Sequence, residues 1–189
     1  MRLPLLTCSL LIALAAAAAA DAPSAPPAPN PGPSVTRPRL CTLKATTIVF
    51  QKLHIDPTDS EHEIKAITDI EDKLFAAHIK INGGPILIFL EPPVDPGAAV
   101  DLEIGIPVPD GTQAPEGCET RTLAATPCVT AIYQGRISAI GESANNVFEQ
   151  LPDLHQTPGT EFRTRSLYYE GLDSPNNITL LEVPVTPAK

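Results

Sequence analysis

The chain repeats itself. LKATTIV at 43–49 returns as LAATPCV at 123–129, FLE at 89–91 returns as YYE at 168–170, and IPV at 106–108 returns as VPV at 183–185. All three separations fall at about 77–80 residues. A near-constant offset across several short matches marks a duplicated structural unit, and limits the possible folds more tightly than any single segment does.

Each copy reads as strand, helix, strand, strand. In the first, TTIVFQK at 46–52 is β-branched and aromatic and predicts a strand. Pro57, Thr58 and Asp59 form a stop and cap, with Glu61 and Glu63 suited to a first helical turn. Ile64, Ile67, Ile70, Leu74 and Phe75 then supply one apolar helical face. NGGP at 82–85 breaks the helix, ILIFLE at 86–91 is a second strand and VDLEIGIPV at 100–108 a third, with prolines and Gly97 between. In the second copy, strands at 119–123 and 128–134 flank a tight turn at 124–127. A helix follows at 137–151, with Ile140, Ala144, Val147, Phe148 and Leu151 on its apolar side. Strands at 164–170 and 177–185 close the unit after a Pro158-Gly159 break. One such unit cannot cover both faces of its own sheet. Two copies joined about a pseudo-twofold predict an α+β fold: duplicated β-α-β-β units forming one curved antiparallel sheet with two helices on one face and a central cleft on the other.

Before the repeats lies a segment of different character. Arg2 precedes an apolar run from Leu3 to Ala20 that ends in small residues at Ala18 and Ala20 before Asp21. This pattern predicts a secretory signal peptide over 1–20 and a periplasmic or secreted protein; the alternative is an uncleaved membrane anchor. Residues 21–38, APSAPPAPNPGPSVTRP after Asp21, hold seven of the 22 prolines and read as an extended linker. The remaining 39–189 form one domain, with repeat 1 at about 40–109 and repeat 2 at about 118–186. The formal charge of −9 argues against a basic nucleic-acid or anionic-membrane surface, so no nucleic-acid partner is expected, and no membrane unless the signal stays uncleaved. After cleavage Cys41, Cys118 and Cys128 remain, which in an oxidising compartment predicts one disulfide and one spare thiol, with the pairing open. No His/Cys cluster has metal-ligand spacing, and neither a metal nor another cofactor is expected.

Alternation along the closing strands sorts their side chains by face. Ile104, Ile106 and Val108, like Leu181, Val183 and Val185, belong against the helices. Glu103 and Glu182 then point to the opposite face, toward the expected cleft. Tyr168 and Phe89, equivalent in the two copies, and Tyr133 are candidate aromatic walls. With eight aromatics and no Trp, a small or aliphatic guest suits the chain better than a large polycyclic cation.

The YQG strand end at 133–135, the following helix, the Pro-Gly break, the aromatic pair with an acid and the closing VPV strand resemble the GyrI-like family. So do GGPILIFLEP and DLEIGIPVP of the first copy. That family includes effector-binding domains of AraC-type and multidrug-responsive regulators, and SOUL haem-binding proteins share its fold. The resemblance covers about 40–185. It implies small-molecule binding, with a central glutamate in the last strand four residues before the proline. This chain has Leu180 there, and the nearest acid is Glu182. A shift of two residues moves a carboxylate roughly 7 Å along a strand. The expected function is an exported small-molecule-binding protein with Glu103, Glu182, Tyr168, Tyr133 and Phe89 as ligand contacts. Two alternatives remain: a hydrolase in which Glu182 activates water, and a protein-interaction module with an acidic surface.

Overall fold

The computed structural model describes residues 32–56, 60–90 and 99–188, and Pro31–Lys189 form one compact unit. The expected signal peptide, most of the expected linker, the expected cap at 57–59 and the expected turn at 91–98 lie outside the described residues. In chain order the elements are β1 (Ser34–Val35), β2 (Arg39–Leu43), β3 (Thr46–Ile55), α1 (Ser60–Ala76), β4 (Ile86–Phe89), β5 (Val100–Val108), β6 (Glu119–Leu123) and β7 (Thr126–Gln134). After a short 3-10 turn come α2 (Ile140–Glu149), β8 (Gln156–Pro158), β9 (Phe162–Tyr168) and β10 (Ile178–Pro187).

All the strands join in one antiparallel sheet of order β1-β7-β10-β9-β4-β5-β3-β6, with β2 also on β7 and β8 on β10. The fold is α+β, with two α-helices among the described residues, and its two halves meet where β4 pairs with β9. The α1 helix packs Ala66, Ile70 and Leu74 on Val49, Leu102, Ile104, Ile106 and Val108. The α2 helix packs Ala144 and Val147 on Val129, Ala131, Leu181 and Val183. Both helices therefore cover one face, as the repeat requires. The buried stripe of α1 is Glu63, Ala66, Ile70 and Leu74, whereas Ile64 is part-exposed and Phe75 fully so. At 100° per residue, Ile64 and Phe75 fall about 120° and 140° from Ile70, well away from the buried arc.

The two strands that flank the turn after Leu123 do not pair with each other. Instead β6 leaves its own half to pair with β3 (Leu123 opposite Thr46, Glu119 opposite Phe50), while β7 receives β2 from the first half (Leu43 opposite Thr126, Arg39 opposite Thr130). The two exchanges are equivalent under the 80-residue offset. Their consequence is geometric. Leu43 on the β7 edge and Thr46 on the β6 edge are three peptide units apart, so their Cα atoms lie within about 11 Å. A flat sheet would hold β2 and β3, six strand spacings apart, at about 29 Å. The sheet must be rolled, with its helix-free face turned inward.

Residues 32–38, assigned to the linker by composition, lie against this roll. Ser34 and Val35 pair with Gln134 and Tyr133, and the Ile132 N–H donates to the Thr36 hydroxyl. Prolines suit an edge strand, where a missing donor disturbs no further ladder. At NGGP the backbones nearly touch. A Cβ on Gly84 would lie 2.1 Å from the Ser166 carbonyl oxygen, so only glycine lets the chain enter β4 beside β9.

Candidate ligand-binding site

The inner face is built from alternate residues of the same strands that bury the helix-side core. Ile48 and Phe50 of β3, Ile86 and Ile88 of β4, and Leu123 of β6 form its apolar part. Cross-strand partners share a face, which places Arg163 beside Ile88 and beside Glu182, and Arg165 beside Ile86 and Leu180. Glu103 joins them through its pairing with Ile88.

Five charged side chains from distant strands, and Glu161 just ahead of β9, meet here. Arg121 Nη2 lies 2.6 Å from Glu103 Oε2 and 3.8 Å from Glu161 Oε2, and Glu161 also binds Arg163. Arg165 Nε donates to Glu182 Oε1 at 3.0 Å. Arg121 sits on the edge strand β6, and Glu161 immediately precedes β9, with three strands between them in the sheet order. Rolling of the sheet closes that gap. Glu103 is 5% and Glu182 0% exposed, so both carboxylates are buried, while their partners Arg121 and Arg165 are part-exposed. Glu182 Oε2 is buried and receives no hydrogen bond. Glu103 Oε2 is held instead by its short ion pair to Arg121. Arg121 also lies over the Phe50 ring at 5.7 Å.

The five residues expected to contact a ligand thus divide. Glu103 and Glu182 share the inner face. Phe89 stacks on Phe162 against the helix-side cores, with ring centroids 5.7 Å apart. Tyr133 is fully buried beneath α2; its hydroxyl donates to the Arg136 carbonyl, and burial raises its pKa. Tyr168 is half-exposed near the end of β9. Its hydroxyl donates to Glu170, which raises the phenol pKa and lowers that of the carboxyl. The arginines went unforeseen. FRTRS at 162–166 alternates apolar or small with basic residues, and that period-2 pattern was the available signal.

Two hollows open on this region. The larger, about 580 Å³, lies at the β3–β6 edge beside Phe50, Lys52 and Glu119, and its two charges pair with each other at 3.1 Å. The smaller, about 270 Å³, is lined by Arg39, Thr130, Ile132 and Leu180 among others. Thr130 is the cross-strand partner of Glu182, which lies buried next to this hollow's lining residues in the ladder and does not itself line it. Among the described residues no group of His, Cys, Asp and Glu could hold a metal ion.

A rolled antiparallel sheet with helices on one face and a polar pair-lined interior on the other defines an α+β ligand-binding module. Residues 36–185 match the GyrI-like small molecule binding domain, and the chain belongs to that family. Among solved structures it is similar to the EcmrR C-terminal domain, with TM-score 0.70 at 15% identity, over 80% of this chain and 98% of that one. In the EcmrR–DNA complex the TM-score is 0.71 at 14% identity, again over 80% of this chain, which spans 58% of that longer one. SAV2435 bound to tetraphenylphosphonium matches with TM-score 0.54 at 18% identity, covering 80% and 94% of the two chains. A hydrolase encoded by lin2189 from Listeria innocua matches with TM-score 0.60 at 10% identity, covering 79% and 92%. These likenesses establish the fold. No curated protein matches the sequence.

Proposed function

We propose that this chain is an exported small-molecule-binding protein whose guest enters the hollow beside Leu180 and Thr130 and reaches Glu182. The observation that carries the reading is the buried Glu182 Oε2, which faces no donor. A buried carboxylate oxygen left unpaired costs about 1–3 kcal/mol or more, and a guest bringing an N–H or O–H recovers that cost on binding. The guest fitted to this place is small, mainly apolar and carries one hydrogen-bond donor, cationic or neutral. A bulky dication is disfavoured because Arg165 already neutralises half of the carboxylate's field.

The chemistry favours binding over hydrolysis. A carboxylate held by an arginine is a weak base toward water. The hydroxyls of Tyr133 and Tyr168 are committed to Arg136 and Glu170 rather than to the inner face. The signal-like pattern at 1–20 and the Pro-rich stretch after it support a role outside the cytoplasm. A thermal-shift panel of small amines, alcohols and amides tests the binding reading. Saturable stabilisation of the wild type that is lost in Glu182→Gln supports it. A panel without effect on either protein overturns it.

A further inference from the structure

We propose that Cys41 and Cys128 are the partners of a cross-strand disulfide that locks the exchanged strand β2 onto β7. The two residues stand directly opposite each other in the antiparallel β2–β7 ladder. Directly opposed residues in such a ladder have Cα atoms about 4.5–5.5 Å apart and side chains on one face. That spacing lies inside the range of about 4.4–6.8 Å that a disulfide spans. Both are free thiols in the structure, and Cys41 Sγ reaches only a weak partner, the Thr130 hydroxyl, at 3.7 Å. Cys118 is placed for a different role. It precedes β6 and packs toward the α1 core, where the Gln51 amide contacts its sulfur at 3.6 Å.

The position of the bond gives it a purpose. The β2 strand is short, lies on an edge of the sheet, and supplies the longer of the two ladders, with β1, by which the chain ahead of β3 holds β7. Equivalent contacts in the other half run between β6 and β3, where Arg121 stands opposite Ile48 and anchors the edge through Glu103. Under the 80-residue offset, Cys41 and Cys128 occupy the places of Arg121 and Ile48. An ion pair secures one exchanged strand, and a covalent bond secures the other.

Glutathione disulfide serves as the oxidant. The exposed Cys41 thiolate attacks one of its sulfurs, breaks its S–S bond and expels one glutathione thiolate, leaving a mixed disulfide on Cys41. Cys128 then loses its proton to solvent and attacks the Cys41 sulfur, forming the protein disulfide and expelling the second glutathione. Two protein thiols are oxidised, and one glutathione disulfide is reduced to two thiols. Burial, then the nearby Glu182 charge, pushes the Cys128 thiol up to about 12, so the second step is the slow one and speeds up as pH rises.

The test equilibrates the full chain with glutathione disulfide at pH 8.5 in the absence of denaturant, followed by alkylation, trypsin and mass spectrometry. The expected product joins peptide 40–44 to peptide 122–136, with Cys118 alkylated. The loop closed by the bond is long, so the unfolding constant falls on the order of a thousandfold on oxidation. The urea midpoint rises in the wild type and in Cys118→Ser, and is unchanged by the oxidant in Cys41→Ser. Linkage of Cys41 to Cys8 or Cys118 overturns the assignment. So does a stable glutathione adduct on Cys41 beside a free Cys128 thiol, or a midpoint shift that persists in Cys41→Ser.

Discussion

Replacing Arg165 by Met removes one charge of the most deeply buried ion pair in the inner face. Glu182 has no exposed side-chain surface and Arg165 has 22%, so the pair is largely, though not wholly, withdrawn from water. At an effective dielectric near 20, unit charges about 4 Å apart attract by about 4 kcal/mol. Breaking a buried pair from one side usually costs about 3–5 kcal/mol, because the remaining charge is stranded. The residual exposure of Arg165 argues for the lower end, ~3 kcal/mol. With a urea slope of roughly 2 kcal/mol per molar, the midpoint falls by about 1.5 M. Arg165→Met/Glu182→Leu should return to within about 1 kcal/mol of wild type, since an apolar pair of similar volume carries no stranded charge. Equilibrium urea unfolding of the four proteins in the cycle measures each quantity. A single variant within 0.5 kcal/mol of wild type (roughly the noise of such cycles), or a double variant as unstable as the single, would refute the placement of this pair in a dry interior. The single variant should also bind a cationic guest more tightly, because its carboxylate is no longer neutralised.

Gly84→Ala forces a Cβ into the Ser166 carbonyl and should cost ~1–3 kcal/mol in thermal or urea unfolding, with weakened amide protection along the β4–β9 seam. Asn177 is fully buried, accepts a hydrogen bond from the Glu170 N–H and donates one to the Gly171 carbonyl, so Asn177→Ala should lose about 2 kcal/mol. The same commitment leaves the Asn177-Ile178-Thr179 triplet without a free amide for glycosylation in the folded chain. In the reduced protein, Cys41 should react with iodoacetamide well before Cys128 at pH 8, and the order is read by peptide mass spectrometry. A thiol with a folded pKa of about 12 loses its proton later than the same thiol in the unfolded chain. Its contribution to stability is therefore full below pH 9 and falls between pH 9 and 12, a decline that Cys128→Ala should lack.

The duplicated motifs made the strand and helix order, the shared helix face and the inward direction of Glu103 and Glu182 legible before any coordinates. Those features follow from periodicity, which a single strand or helix already expresses. Long-range pairing does not. Nothing in ETRTLAATPCV distinguishes a hairpin from two strands departing to opposite edges, because both place a short polar turn between the same β-branched runs. The arginines were equally hidden: a basic residue on an open cleft and one buried against a carboxylate read alike in sequence. Tyr133 shows the reverse case. Its ring looked available for a ligand, but the same alternation that sends Glu182 inward sends Tyr133 beneath α2. Pro33, Val35 and Pro38 are ordinary linker residues by composition, and only their neighbour β7 gives them a place.

The side-chain Nε–H resonance of Arg165, followed by 15N–1H NMR while the best compound of the ligand panel is titrated, tests the central claim most directly. Because Arg165 Nε donates to Glu182 Oε1, a guest that reaches the other carboxylate oxygen must perturb that signal. The account predicts a shift that saturates at the same concentration as the thermal stabilisation, and that is absent in Glu182→Gln. A compound that stabilises the protein to saturation while the Arg165 resonance stays in place would contradict it.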